Sequence, residues 1–295
     1  MRVTFRSLHE GVEYVHSAAA DLARARQQVE SGKRLHLPSD DPAAMLRAVE
    51  GRAEIGALDS YARSADTVTA RLASFDSVLT TVVDRLTAAQ VAATAARGTT
   101  ATAEAREALA LQLEGLRDDL AGDLNTSFRG VYLFSGSEVG TPAYARVAGV
   151  WTYQGDSAAV TADIGQGRTA EITLDGRAIA QGSDAADLFT EMDALVAAVR
   201  AGDNAAIGAG IDALNRAFTR ATRAQSGIGA DQAGLATRQL QITSSRLAVV
   251  TRVAKDEDAD LASAISALSR AETAYQAALG AVATSSRLSL MDYLR

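Results

Sequence analysis

From Leu58 to Ala93 one apolar residue returns at alternating intervals of three and four: Leu58, Tyr61, Ala65, Val68, Leu72, Phe75, Leu79, Val82, Leu86, Ala89 and Ala93. On a helix of 3.6 residues per turn this spacing draws one continuous stripe, the seam of a coiled coil or long bundle. A helix from Pro42 to Arg97 would be about 84 Å long at 1.5 Å per residue. Compact domains rarely use such a rod; fibres and long bundles do.

The remainder of the chain agrees with that architecture. Hydrophobic residues make up 47% but aromatics only 5%, so the apolar content is mostly Ala, Leu and Val, which suits close-packed helices. The only prolines are Pro38, Pro42 and Pro142, which leaves long stretches free of the strongest helix breaker. At 295 residues there is room for more than one domain. Before the long stripe, a first helix is expected over residues 4–31, with Leu8, Val12, Val15, Ala19, Leu22 and Val29 on one face and Ser31-Gly32 as its stop. Leu35–Pro42 reads as a turn in which an Asp caps the next helix and Pro42 takes its first turn, where a missing N–H costs nothing. After Gly98, Leu109, Leu113, Leu116, Leu120 and Leu124 mark a third helix.

At about Asn125 the pattern changes. Val131–Phe134, Val147–Tyr153, the alternation at Val160, Ala162 and Ile164, and then Ile172 and Leu174 read as strands, with Asp175-Gly176 as a hairpin turn. Residues 130–183 are therefore expected to form a small β insertion. Helical spacing returns at Leu188, Met192, Leu195 and Val199, and again at Ile207, Ile211, Leu214, Phe218 and Ala221. Ser226–Gly229 punctuates it, after which Ile228, Leu235, Ile242 and Val249 recur every seventh residue. A last helix carries Leu261, Ala264, Leu268, Ala271, Tyr275, Ala278 and Val282. The fold class expected is mainly α with a small β insertion, and the two end helices are expected to pair with each other.

Chemistry finds little support. A net charge of −7 with scattered arginines disfavours nucleic-acid binding. The absence of cysteine removes thiol catalysis, disulfides and cysteine-ligated zinc. Met1–Arg6 leads into no apolar run of a conventional signal peptide, and no stretch reaches the roughly 20 apolar residues needed to cross a bilayer. His9, His16 and His36 are read as ordinary surface or interface residues. Asp256, Glu257, Asp258 and Asp260 lack the spacing and glycine of an EF-hand and are read as a solvated helix start. Gly165 and Gly167 do not complete a nucleotide-binding glycine motif, and no G-x-S-x-G elbow occurs. No catalytic, metal or cofactor residue is assigned. The seams of the end helices use small residues, which bury little area at about 25 cal/mol per Å², so these helices are expected to order fully only on assembly.

Three segments resemble the flagellin superfamily, and within it the hook-associated protein 3 (FlgL) type. The first is Ser31-Gly32-Lys33-Arg34-Leu35 leading into Pro38-Ser39-Asp40-Asp41-Pro42. The second is Val131-Tyr132-Leu133-Phe134-Ser135-Gly136 with Thr141-Pro142 behind it; the third is Ser289-Leu290-Met291-Asp292-Tyr293-Leu294. Ile228-Gly229-Ala230 is similar to the start of the family's returning helix. Ala143-Tyr144 departs from the family's Pro-Phe pair, and flagellin itself is the nearest rival.

The resemblance implies a non-catalytic junction ring between hook and filament, exported without a cleaved signal peptide and lying outside the cell. Its implied partners are further copies of itself, the hook-side junction protein, flagellin, an export chaperone and the flagellar type III export apparatus, with no nucleic acid and no membrane insertion. It further implies an inner tube domain from residues 1–41 and 256–295, a helical shell from 42–129 and 184–255, and an outer β domain from 130–183. Assembly residues would be Leu8, Val12, Val15, Leu22, Leu261, Leu268, Tyr275, Val282, Leu290, Tyr293 and Leu294. A coiled-coil signalling scaffold would lack the β insertion. A carbohydrate-binding or hydrolytic module would need more than Asp156, Asp163, Glu171, Asp175 and Trp151.

Overall fold

The computed structural model describes residues 2–98 and 102–293, with side chains described over 9–98 and 102–284. The helices in chain order are α1 (Arg2–Ser31), α2 (Pro42–Ala96), α3 (Ala103–Leu124), α4 (Gly176–Ala180), α5 (Leu188–Ala201), α6 (Asn204–Glu257) and α7 (Leu261–Tyr293). Between α3 and α4 lie six short strands: β1 (Ser127–Phe128), β2 (Val131–Tyr132), β3 (Tyr144–Val147), β4 (Val150–Tyr153), β5 (Thr161–Gly165) and β6 (Arg168–Glu171). Packing divides the chain into two units, Leu58–Ser244, and Met1–Ala57 with Ser245–Arg295. Among the described residues no helix is long and apolar enough to cross a membrane.

In the unit Leu58–Ser244 the core is the stripe of α2. Every stripe residue from Ala65 to Ala93 is buried, with Leu79, Leu86, Ala89 and Ala93 at 0% exposure. Each buried Leu, Val or Phe contributes about 1.5–3 kcal/mol. α6 supplies the matching face: Ile207, Leu214, Ala221, Ile228, Leu235 and Ile242 stand seven apart and are all buried. Polar clips set the register of α2 against α6. Gln225 Nε2 donates to Thr80 Oγ1 at 2.9 Å and Gln239 Nε2 to Asp66 Oδ1 at 2.9 Å.

Ser226–Gly229, expected as punctuation, does not interrupt α6. Gly227 and Gly229 weaken a helix by about 1 kcal/mol each relative to Ala, but Ile228 between them is 3% exposed and holds the seam. Tertiary burial outweighs the propensity penalty.

The β region also differs from expectation. It begins earlier, at Ser127, and forms three separate antiparallel pairs. Asp175-Gly176 is no hairpin turn: the Asp175 carboxylate accepts from the Arg177 N–H at 2.8 Å and caps α4, a helix the pattern did not reveal. Leu133 and Phe134 leave the strand and enter the helical core, where Phe134 meets Phe75 edge-on at 5.4 Å. The ribbons fail to merge because their apolar sides, Trp151, Tyr153, Ala162, Ile164 and Ala170, pack on the helical core instead. In the β3–β4 hairpin both turn residues, Ala148 and Gly149, have positive φ, the conformation that matches a two-residue hairpin to the strand twist. Asn125 clips this hairpin to the end of α3. Its Nδ2 donates to Tyr144 O and its Oδ1 accepts from Tyr144 N–H, both at 2.8 Å. Asp118 of α3 accepts from Arg146 at 2.7 Å and from Trp151 Nε1 at 3.0 Å.

In the unit Met1–Ala57 with Ser245–Arg295, α1 lies antiparallel along α7, as the paired-ends expectation held. The seam is mostly small residues, Ala18 and Ala25 of α1 with Ala264 and Ala278 of α7, joined by Leu22, all buried. The α2 and α6 segments of this unit also meet through small residues, Ala44 and Ala48 at 0% exposure, with Val249 and Val253 opposite. A Cβ placed on Gly51 would stand 2.4 Å from Val253 Cγ2. A helical valine has one strongly preferred rotamer and cannot swing aside. Gly51→Ala, which would stabilise an isolated helix, is therefore expected to destabilise this protein by about 1–3 kcal/mol through overpacking. Thermal melting of the single variant and of Gly51→Ala with Val253→Ala checks this; the second change should recover part of the loss.

Candidate functional site

The turn 32–41 does not stand alone. Gly32 ends α1 in the left-handed conformation, φ +66°, and its N–H bonds Gln28 O at 3.0 Å. Ser31 Oγ donates to Gln27 O at 2.7 Å and accepts the Lys33 N–H at 3.1 Å. It also lies within hydrogen-bond distance of His36 Nε2, at 3.1 Å. Asp40 Oδ2 accepts from His36 N–H at 3.0 Å and Leu37 N–H at 2.8 Å, closing the turn around Pro38-Ser39. Asp41 Oδ1 caps α2 through the Ala44 N–H at 3.0 Å. The two aspartates of the motif thus have separate tasks, one folding the turn and one starting the helix.

Against this turn packs the connection between α6 and α7. Arg34 N–H donates to Glu257 O at 2.6 Å and Ala259 N–H to Gly32 O at 2.9 Å, around an antiparallel bridge between Lys33 and Asp258. Lys33 Nζ lies 2.6 Å from Asp258 and 3.5 Å from Glu257. Arg47 reaches Asp256 at 2.7 Å, Arg52 reaches Glu257 at 2.7 Å, and Arg34 donates to Asp256 O at 2.8 Å. The acidic run is therefore not the solvated helix start expected from sequence. Asp256 and Glu257 close α6, and Glu257 is 4% exposed. Only Asp260 behaves as expected, accepting from Ala262 N–H at 3.1 Å and Ser263 Oγ at 2.9 Å at the start of α7. The cations came from residues more than 200 positions away, so no local pattern could reveal the pairing.

Among the described residues no group of three or more His, Asp or Glu is placed to hold a metal. The sequence reading passed over one neighbour: Glu13 stands four residues from His9, with Nε2 and Oε1 3.6 Å apart on an exposed face. In the β region Asp156 accepts from Ser137 N–H at 2.6 Å and Asp175 caps α4, so both serve the fold.

Of the expected assembly residues, Leu22 is buried, Val15, Leu268, Tyr275 and Val282 are half-buried, and Val12 and Leu261 are exposed at 40% and 53%. The side chains of Leu8, Leu290 and Tyr293, and all of Leu294, lie outside the described residues. Pro38, Ser39 and Asp40 form the exposed tip of the turn, with Asp41 half-buried and Pro42 exposed at the start of α2. Sequence reasoning missed Gly11, whose added Cβ would lie 3.1 Å from Val282 Cγ2, and with it the small-residue line of Gly11, Ala18 and Ala25.

Backbone N–H donors hold Asp40 and Asp41 below the usual carboxylate range, Arg47 does so for Asp256, and the Ser263 hydroxyl for Asp260. Asp258 raises Lys33. A depressed carboxylate adds stability above its unfolded value, about 3.9 for Asp, which is lost as pH falls through the folded value. A raised lysine adds stability below about 10.4, lost as pH rises through the folded value. The connector is therefore expected to hold between these limits and to loosen below about pH 4. Amide exchange at His36, Leu37 and Ala44 checks the acid limb. It should accelerate on acidification beyond the intrinsic change, and Asp40→Ala and Asp41→Ala should reproduce the acceleration at neutral pH.

Residues 10–139 match the bacterial flagellin N-terminal helical region. Flagellar hook-associated protein 3 of Salmonella typhimurium is 28% identical over 214 residues, 68% of this chain and 67% of the relative. Among solved structures, Xanthomonas campestris FlgL superposes with a TM-score of 0.62 at 15% identity, covering 69% of this chain and 99% of that one. The flagellar junction protein FlgL of Legionella pneumophila gives 0.60 at 12% identity, covering 72% and 100%. The turn motif, the paired ends and the β region stand in the order the resemblance implied, and over 68% of its length the chain is similar to flagellar hook-associated protein 3.

Proposed function

We propose that this chain is a structural subunit of the bacterial flagellum that forms the junction between hook and filament. One observation carries the reading beyond its relatives. The chain ends meet as an antiparallel pair, α1 with α7, whose seam is mostly alanine and whose outer faces leave Val12, Leu261, Ile265 and Leu279 exposed. At about 25 cal/mol per Å² a mostly alanine seam holds this pair together less firmly than the aliphatic seam of α2, so it opens more readily. Neighbouring copies would supply the missing contacts and cover the outer aliphatics, completing a tube wall.

In this reading residues 1–41 and 256–295 line the inner tube, 42–129 and 184–255 form the shell around it, and 130–183 face outward. The assembly surface comprises Leu8, Val12, Val15, Leu22, Leu261, Leu268, Tyr275, Val282, Leu290, Tyr293 and Leu294. Copies of this chain form the ring, the hook-side junction protein binds below it, and flagellin binds above. The subunit travels unfolded through the type III export apparatus without a cleaved signal peptide, its C-terminal helix held beforehand by a chaperone.

Deletion of residues 286–295 in a strain lacking the native protein tests the reading. The expected result is loss of attached filaments and of motility; filaments that attach normally would overturn the junction assignment. The assembly-ordering part has its own measurement. In purified monomer, amides of residues 9–30 and 261–284 should exchange much faster than those of the α2 seam, and equal protection would remove it.

A further inference from the structure

Within the unit Met1–Ala57 with Ser245–Arg295, only two covalent links join the α1–α7 pair to the α2 and α6 segments: residues 32–41 and 258–260. They run side by side, joined by the Arg34–Glu257 and Ala259–Gly32 backbone bonds. Turning the α1–α7 pair about this short strap would break no hydrogen bond inside any helix. Besides the burial of Leu35 and these backbone bonds, what resists the turn is charge. Lys33 of one link holds Asp258 of the other, and Glu257 is shared between Lys33 in the strap and Arg52 on α2. Arg47 and Asp256 brace the same corner.

Glu257 occupies an unfavourable place by two criteria. It is 4% exposed, and it is the last residue of α6, where the helix dipole repels a negative charge. Cations from two other segments, Lys33 and Arg52, stand against it there. Among the described residues Glu257 is thus a side chain at which a cation of the strap and a cation of α2 meet. We propose that the two links form a charge-latched hinge, with Glu257 as the latch, about which α1 and α7 swing together as one body.

The inference does not depend on the flagellar reading, because it concerns the monomer. The chain has no cysteine, so spin labels on introduced cysteines report single pairs of sites. Labels at Ala20 and Glu50, both exposed, span the hinge; labels at Ala20 and Ser269 span the α1–α7 pair. In the full-length protein at low salt both distance distributions should be narrow. Glu257→Gln should cost the Ala20–Glu50 distribution its narrow component and leave Ala20–Ser269 narrow.

Two further arms do not rely on that variant folding. In about 1 M salt, where the Debye length falls to about 3 Å, the native charges should lose enough of their hold to broaden the hinge distance. Arg47→Asp should broaden it at low salt, and adding Asp256→Arg should narrow it again. An Ala20–Glu50 distance unmoved in all three arms would show that charge does not hold the hinge. Broadening of both distances together would show the helices separating, not swinging. Either result overturns the proposal.

Discussion

Burial of the α2 stripe is the interaction on which the rest of the larger unit depends. Fifty-five residues of unbroken helix have no stability in water unless one face is covered along its length. α6 covers it with aliphatics or alanine at seven-residue intervals, and α3, α5, Leu133 and Phe134 complete the cover. Because the stripe is continuous, the covering elements must follow it. The β ribbons are held to the helical body for the same reason: a two-stranded ribbon is marginal in water and gains its stability from the helices it lies on. Phe134 against Phe75 and Trp151 bonded to Asp118 are the points where the irregular region is fastened.

The other unit follows a different rule. Where α2 meets α6 near Gly51 and where α1 meets α7, small residues allow close backbone approach but little apolar area. Close approach favours dispersion contacts, yet the total is modest beside a seam of Leu, Val and Phe. The larger unit is held by an extensive aliphatic seam, and the α1–α7 pair by a thinner one of mostly small residues.

Charge decides what apolar area leaves open at the connector. The physical problem there is to reverse the chain twice in one place, at residues 32–41 and at 258–260, with few apolar residues available. Backbone donors satisfied by Asp40 and Asp41 shape one reversal, Asp260 starts the helix after the other, and the arginines and Lys33 neutralise acids that the α6 dipole would expel. Most of these pairs are solvent-exposed and individually weak. Glu257 differs because it is buried, so its charge cannot be left without a partner.

Periodicity made the long helices legible before any coordinates: the α2 stripe, the terminal pairing and the Pro38–Pro42 turn all follow from spacing and from the restricted backbone of proline. It failed where local preference and tertiary burial disagree. Gly227 and Gly229 read as a break because propensity is local, whereas Ile228 is held by residues far along the chain. Asp175-Gly176 read as a hairpin because the same pair serves a turn or a helix cap, and the surroundings choose. The acids at 256–260 read as solvated because their cations lie more than 200 residues earlier. By itself, then, the sequence determined which stretches must be helical and which face each must bury, since both are consequences of periodicity along one segment. Only the tertiary structure decided how the strands pair, where α4 begins and which charge meets which, because those depend on groups that folding alone brings together.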